Sequence, residues 1–275
     1  MDSIQEQRNF YANFVASSAG SNDERLIAAF ASVPRERFLG PPPWSIVAGK
    51  RYVITHEPRL LYQDVAVGLA VAKGINNGQP SLHSRCLVAC APVAGDSVVH
   101  IGAGTGYYTA ILASLAGPTG QVIAYEIDAD LAERARENLR DLPTVRVENA
   151  SACQGALPEA NVIYVSAGVT HPPATWLDAL KVGGRLVFPL TPNTGIGVML
   201  LITRRSETAY AAQIVSLAGF IGCVGGRSDA AAQALAAALQ PPPLLGVKSL
   251  RRGTAPDATA CCVGHGWWLS TAPPA

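Results

Sequence analysis

The stretch that decides the fold reads VVHIGAGTGYY and runs from Val98 to Tyr108. A short, mainly apolar run enters a glycine cluster, and a helical pattern from Thr109 to Ala116 leaves it. This order predicts a strand, a tight turn and a helix N-terminus, the arrangement that holds nucleotide-type cofactors. Glycine suits such a turn because the backbone bends sharply and a ligand approaches where a Cβ would lie.

The glycine spacing narrows the choice of cofactor. Gly102, Gly104 and Gly106 form a G-x-G-x-G pattern. A dinucleotide fingerprint needs a glycine at the sixth position of G-x-G-x-x-G, and Tyr107 stands there. The spacing therefore disfavours a nicotinamide dehydrogenase and is the form used by S-adenosylmethionine (SAM) methyltransferases.

A second predicted strand, 121–125, ends in an acid, Glu126. In a βαβ unit, an acid at the carboxyl end of the second strand accepts hydrogen bonds from ribose hydroxyls. The alternative is a carboxylate that caps the next helix. Asp128 is the better candidate for that cap, because it directly precedes the helical pattern.

The composition excludes several classes of protein. The 275 residues include 21 lysines and arginines and 20 aspartates and glutamates. The net charge of +1 creates no strong electrostatic field that would attract nucleic acid or an anionic membrane. Apolar residues make up 49% and charged residues 15%, which favours a buried core over disorder. No apolar stretch reaches the roughly 18 residues of a membrane span, and the polar N-terminus lacks the order of a signal peptide. We expect a cytoplasmic enzyme with neither a nucleic-acid nor a membrane partner.

The six cysteines do not follow a metal-binding pattern. None forms a C-x-x-C pair, and the adjacent Cys261 and Cys262 have poor spacing for zinc. His83, Cys86 and Cys90 fall at helical spacing, where small thiols packing in a core are the simpler interpretation. The sequence predicts neither a bound metal nor a structural disulfide.

Helical and strand patterns alternate along the chain. Helices are predicted at 3–18, 23–32 (capped by Ser21 or Asn22), 81–91, 106–116, 128–140, 173–180 and 228–239, the last ended by the prolines at 241–243. Strands are predicted at 52–55, 98–101, 121–125, 144–148, 161–166, 185–190, 196–203 and 209–217, with an edge strand or pair within 260–270. This alternation predicts an α/β fold, with a parallel sheet and helices on both faces.

Four blocks, in order, resemble the protein-L-isoaspartate O-methyltransferase family. VPRERF at 33–38 resembles its V-P-R-E-x-F, and YQD at 62–64 resembles its Y-x-D. The segment 99–107 is similar to the last nine positions of V-L-E-I-G-T-G-S-G-Y, and LKVGGRLVFP at 180–189 is similar to L-K-P-G-G-R-L-V-x-P. The resemblance implies a class I, Rossmann-like fold with a seven-stranded, mainly parallel sheet, and SAM-dependent methyl transfer to a carboxylate oxygen. We expect a region of N-terminal helices and substrate loop (1–80), a SAM-binding core (81–220) and a C-terminal extension that completes or flanks the sheet (221–275).

The resemblance also assigns cofactor contacts. The three glycines would lie against the methionine part of SAM, and Glu126 would hold the ribose. The family's G-D-G after the third strand corresponds to 150–152, so Ser151 would replace an aspartate near the adenine. The full set of cofactor candidates is Gly102, Ala103, Gly104, Thr105, Gly106, Tyr107, Glu126, Ile127, Ser151 and Ala152.

The substrate loop departs from the family. The family's G-Q-T-I-S-x-P corresponds to GINNGQP at 74–80, with Gly78 at the serine position and Asn76 at the threonine position. A carboxylate acceptor needs orientation and close approach, which neutral side chains supply. An alcohol acceptor would need a base, for which His83 is the candidate, although a helix-face histidine is also typical of a structural role. The catalytic candidates are Asn76, Asn77, Gln79, Ser81 and His83, and the two asparagines are equally compatible with a plain turn.

Three functions remain open at this point. Since the loop serine is replaced, our main hypothesis is an O-methyltransferase that esterifies a carboxylate of a peptide or of a small biosynthetic intermediate. The alternatives are isoaspartyl repair and a non-catalytic SAM-binding or interaction module. The sequence does not define the oligomeric state.

Overall fold

The computed structural model describes residues 3–240 and 246–275, and the predicted helix-ending prolines at 241–243 lie outside the described residues. The helices are α1 (Ser3–Ser18), α2 (Glu24–Ser32), α3 (Pro80–Cys90), α4 (Tyr107–Ala116), α5 (Ala129–Leu139), α6 (Ala174–Ala179) and α7 (Asp229–Ala238). The strands are β1 (Trp44–Ala48), β2 (Arg51–Thr55), β3 (Gly68–Ala70), β4 (Ile75–Asn76), β5 (Ser97–Ile101), β6 (Gln121–Tyr125), β7 (Val145–Glu148), β8 (Ala160–Val165), β9 (Leu180–Leu190), β10 (Gly197–Arg204), β11 (Tyr210–Ala218), β12 (Ser249–Arg252), β13 (Ala260–Gly264) and β14 (Trp267–Ser270). Across this described part, no helix combines the length and the apolar character that a membrane crossing requires.

The chain divides into two compact units. Unit one comprises Met1–Asp96 and Ala103–Ala150, and unit two comprises Ser97–Gly102 and Ser151–Ala275. Unit one holds the N-terminal helices, two small antiparallel sheets (β1 with β2, β3 with β4) and the parallel pair of β6 and β7. Unit two holds a sheet with the strand order β13–β14–β12–β11–β10–β9–β8–β5.

The sheet of unit two is parallel at one end and antiparallel at the other. β8 pairs in parallel with both β5 and β9, whereas β10 to β14 join by antiparallel pairings. Helices connect the parallel strands, and short turns suffice for antiparallel neighbours such as β13 and β14. The α/β class is confirmed. The expected number of seven strands is too low, because β12, β13 and β14 extend the sheet beyond β11. The expected parallel share is too high, because β9 to β14 are joined by antiparallel pairings.

One local prediction was wrong for a backbone reason. The strand predicted at 185–190 begins at Leu180, and residues 181–184 form a bulge within β9: Leu180 pairs with Ala160 and Arg185 with Val162. Gly183, at φ +82°, provides the left-handed conformation that lets the strand continue past the extra residues. The final segment forms a strand pair, one of the two predicted alternatives: β14 pairs with β13 and also with β12, and Trp267 and Trp268 are buried.

Of the two predicted helix N-caps, that of α5 was correct and that of α2 was wrong. Asp128 caps α5 as expected, since its side chain accepts hydrogen bonds from the N–H groups of Asp130 and Leu131. For α2 the cap is Asp23 rather than Ser21 or Asn22, because the Asp23 carboxylate accepts the Arg25 N–H. An aspartate at this position also complements the positive end of the helix dipole.

Candidate active site

The glycine turn follows β5 and leads into α4, as the sequence predicts. Within unit one, Ala103 N–H donates to the Tyr125 carbonyl (3.1 Å), which holds the turn beside the end of β6. Gly106 has φ +96°, and a Cβ there would lie 2.7 Å from Leu139 Cδ1. The left-handed backbone angle strains any other residue at position 106, and the Leu139 side chain would have to move to make room for it.

Glu126 lies against this turn. Its Oε2 accepts the Gly104 N–H (2.7 Å), and its Oε1 accepts the Asp128 N–H (2.9 Å). The residue is only 7% exposed, and burial raises the pKa of its carboxyl group. A carboxylate offers about four lone-pair sites, so each oxygen keeps acceptor capacity for a ligand hydroxyl. The exposed Ile127 follows directly.

Other cofactor candidates divide between the units. In unit one, Thr105 donates its hydroxyl to the Phe38 carbonyl (2.5 Å), and the buried Tyr107 hydroxyl is 3.2 Å from that of Tyr11. These two side chains therefore bind the N-terminal segment, and the buried Ala103 contributes backbone.

Gly102, Ser151 and Ala152 belong to unit two. Ser151 Oγ accepts the Cys153 N–H (3.3 Å), and the Ala152 carbonyl accepts the Trp176 indole N–H (2.8 Å). These bonds fix the turn that follows β7. Where the family has an aspartate, Ser151 offers only one hydroxyl. That hydroxyl already accepts a backbone hydrogen bond from Cys153.

A buried arginine organises the loop that leads to the substrate segment. Arg35 is 0% exposed. Its guanidinium donates to the carbonyl oxygens of Leu61, Gln63 (3.3 Å) and Val65 (2.9 Å), and to Asn77 Oδ1 (3.3 Å). The acceptors are carbonyl and amide oxygens, so the charge is spread over several dipoles. Arg35 thereby ties residues 61–65 to position 77.

Aromatic rings enclose the same cation. The Arg35 guanidinium carbon lies 5.8 Å from the centre of the Tyr11 ring and 5.6 Å from that of Tyr107. Cation–π attraction is strongest where both groups are desolvated. Burial raises the pKa of both tyrosines, so their rings remain neutral beside the arginine.

The substrate-loop candidates differ in the hydrogen bonds that fix their side chains and in their exposure. Asn77 is buried, and its Oδ1 also accepts the Val67 N–H (2.8 Å), so this side chain braces the loop. Asn76 Oδ1 accepts the Gly78 N–H (2.9 Å), which forms the local turn that the sequence left as an alternative. Gln79 is exposed.

Asp64 anchors the end of the loop. One of its oxygens accepts the Gln79 side-chain amide (2.7 Å), and the other accepts the Ser81 N–H (2.8 Å) at the start of α3. Two donors thus compensate the carboxylate and place Gln79 and Ser81 side by side. Only the resemblance to Y-x-D pointed to this residue in the sequence.

His83 occupies the space that a side chain at position 78 would need. Gly78 has φ +71°, and a Cβ there would lie well inside van der Waals contact with His83 Nε2 and 2.8 Å from its Cδ2. The His83 ring stacks on Tyr108 with centroids 3.6 Å apart and an angle of 10°. Where the family has a serine, this chain therefore packs an imidazole.

His100 stands where the family block has a glutamate. It lies on β5 in unit two and is 1% exposed, and its Nε2 is 3.1 Å from Ser166 Oγ. Burial lowers its pKa to about 3, so the ring is neutral at ordinary pH. The substitution replaces an anion at the end of this strand with a neutral group.

Comparison with known proteins identifies the family. The family model for protein-L-isoaspartate (D-aspartate) O-methyltransferase matches residues 15–228. A protein-L-isoaspartate O-methyltransferase of Ignicoccus hospitalis is 30% identical over 207 residues, covering 74% of this chain and 90% of its own. The enzyme of the same name from Methanoculleus marisnigri is 30% identical over 210 residues, covering 75% and 87%.

A solved structure shows the same fold. It is described as a protein-L-isoaspartate O-methyltransferase from Plasmodium falciparum in complex with S-adenosyl-L-homocysteine. The similarity has a TM-score of 0.63 at 17% identity and covers 79% of this chain and 98% of that chain.

The fold and the glycine turn define a Rossmann-like, class I SAM-dependent methyltransferase whose cofactor is SAM. Within that class, the chain belongs to the protein-L-isoaspartate O-methyltransferase family and is an O-methyltransferase.

Proposed function

We propose that this protein esterifies the free carboxylate of L-isoaspartyl residues in peptides and proteins. The observation that carries the proposal is the family match over residues 15–228, which includes both the glycine turn and the substrate loop. Of the functions left open by the sequence, the comparisons support the repair reaction better than methylation of an unspecified carboxylate.

The residues of the glycine turn fit the cofactor. Bound SAM supplies an electrophilic methyl group on a sulfonium. Gly104 and Gly106 leave the turn without side chains, and Glu126 has the acceptor capacity to hold the ribose hydroxyls. The wider set proposed to line the cofactor is Gly102, Ala103, Thr105, Tyr107, Ile127, Ser151 and Ala152.

The loop orients the acceptor and does not activate it. A carboxylate is ionised at neutral pH, so it needs position and partial desolvation rather than a base. The proposed contacts to the acceptor carboxylate come from Asn76, Gln79 and Ser81. Asn77 stabilises the loop through the hydrogen bonds of its side chain. Because Asp64 is compensated by two hydrogen bonds, its charge repels a second carboxylate less.

His83 is proposed to take over the packing function of the missing serine. Its ring fills the space above Gly78 and is held by Tyr108. With a carboxylate acceptor, His83 fixes the loop conformation. With an alcohol acceptor, it would instead have to remove a proton.

The test compares two peptides of the same sequence, one with L-isoaspartate and one with aspartate, incubated with the enzyme and methyl-labelled SAM. We expect base-labile methyl ester on the isoaspartyl peptide only. If other carboxylates are methylated and the isoaspartyl peptide is not, the repair function is refuted and the broader carboxylate hypothesis is favoured. SAM binding without methylation of any carboxylate would favour the non-catalytic module.

A further inference from the structure

Two thiols lie close together in unit two. The sulfurs of Cys153 and Cys223 are 3.6 Å apart, and neither residue is in a disulfide. Cys153 is partly exposed and follows β7, whereas Cys223 is buried and follows β11. A disulfide has a sulfur separation of about 2.05 Å, so a movement of about 1.5 Å would join them.

Glycines let the two backbones approach. A Cβ on Gly226 would lie 3.3 Å from Cys153 Sγ and 3.5 Å from Cys223 Cβ. A Cβ on Gly225, where φ is +84°, would lie 3.3 Å from Cys153 Cβ. The segment 223–226 therefore wraps around Cys153 without an intervening side chain.

The backbone holds Cys223 in place. Its N–H donates to the Gly168 carbonyl (2.8 Å), and its carbonyl accepts the Gly226 N–H (3.1 Å). A further bond from Thr170 N–H to the Gly226 carbonyl (3.1 Å) closes the segment. Formation of a disulfide would therefore mainly displace Cys153.

The thiol pKa values favour Cys153 over Cys261 and Cys262 as the attacking group. Its hydrogen bond with Cys223 lowers its pKa, which increases the thiolate fraction at neutral pH. In contrast, burial raises the pKa of Cys261, and it raises that of Cys262 to about 12. Within the pair, exposure also favours Cys153, because Cys223 is buried.

We propose that Cys153 and Cys223 form a modification site that low-molecular-weight disulfides oxidise to a reversible intramolecular disulfide, which weakens SAM binding. The Cys153 thiolate attacks one sulfur of the small disulfide and releases a thiol. Cys223 then loses its proton and attacks Cys153 Sγ, releasing the second thiol. The protein loses two hydrogen atoms, and the small disulfide is reduced.

The effect on SAM rests on the proposed cofactor site. Ser151 and Ala152 directly precede Cys153, and Ser151 Oγ accepts the Cys153 N–H. Displacing Cys153 therefore pulls on this bond and on the bond between Trp176 and the Ala152 carbonyl. The contacts proposed for the adenine would shift with them.

The experiment treats the reduced full-length protein with glutathione disulfide. We expect loss of two of the six thiols, a peptide linked between Cys153 and Cys223, and SAM affinity weakened about threefold or more. Dithiothreitol should restore both thiols and affinity. Cys153→Ser and Cys223→Ser should each abolish the linked peptide, while Cys261→Ser, the matched control, should behave like the wild type.

Other results would overturn specific steps. Stable glutathione adducts without the linked peptide would overturn the proposal that Cys153 and Cys223 form a disulfide. A linked peptide with unchanged SAM affinity would overturn the effect on the cofactor. Reduced protein that binds no SAM would instead contradict the proposed function, and the linked peptide would then decide the thiol pair alone.

Discussion

Replacing His100 with glutamine is expected to make the protein's stability less sensitive to acid. The buried ring has its pKa lowered to about 3 by desolvation, from an ordinary value of 6.5. Between these values the unfolded chain binds a proton that the folded protein does not. The stability contributed by the neutral ring is therefore complete above pH 6.5 and declines as the pH is lowered towards 3.

The size of this effect follows from the two pKa values. One pKa unit corresponds to about 1.4 kcal/mol, so the whole shift is worth about 5 kcal/mol below pH 3. Lowering the pH from 7 to 4.5 should cost the wild type about 2.5 kcal/mol through this residue alone. Glutamine does not titrate, so His100→Gln should lack this loss.

Urea unfolding of both proteins at pH 7 and pH 4.5 measures the difference. Carboxylates contribute equally to both proteins, so they cancel when the two pH dependences are subtracted. Loss of the contact with Ser166 Oγ should lower the stability of the variant at both pH values. Equal pH dependences would show that His100 does not titrate as a buried neutral group.

Three further predictions concern the candidate site. Glu126→Gln should raise the SAM Kd about tenfold in calorimetry, because an acceptor oxygen becomes a donor; an affinity within about twofold of wild type would refute ribose binding. Gly78→Ser should lower both kcat/KM and Tm, since φ +71° costs another residue about 1–2 kcal/mol and its Cβ meets His83. Adding His83→Ala to Gly78→Ser should recover part of that loss, and an unchanged defect would contradict the packing argument. Arg35→Met should lower the free energy of unfolding, measured in urea, by about 3 kcal/mol or more, because four oxygens lose their hydrogen-bond donor. Arg35→Lys should restore only part of this loss. A loss below about 1 kcal/mol for Arg35→Met would show that the guanidinium does not hold the loop.

The sequence predicted those parts of the site that depend on neighbouring residues. The glycine turn is defined by spacing within a few positions, and Asp128 caps α5 through N–H groups two and three residues away. Glu126 was placed correctly at the end of β6, and its hydrogen bond to Gly104 follows from the geometry of a βαβ unit.

The parts that escaped prediction depend on distant contacts. The acceptors of Arg35 lie 26 to 42 residues away, so no local pattern indicates them. The relation between Gly78 and His83 depends on a backbone angle and on the placement of a ring, neither of which a residue type specifies. Only the family resemblance marked Arg35 and Asp64, and it gave no contacts.

The burial of Arg35 has a consequence for the cooperativity of unit one. Substrate loops commonly open with little free energy, independently of the rest of a domain. Here, opening residues 61–65 would strand a buried cation without its acceptors, at a cost of several kcal/mol. The amide hydrogens of residues 61–65 should therefore exchange with solvent only when the N-terminal helices also unfold. The segment that leads to the substrate loop would then already have its final conformation before a substrate binds.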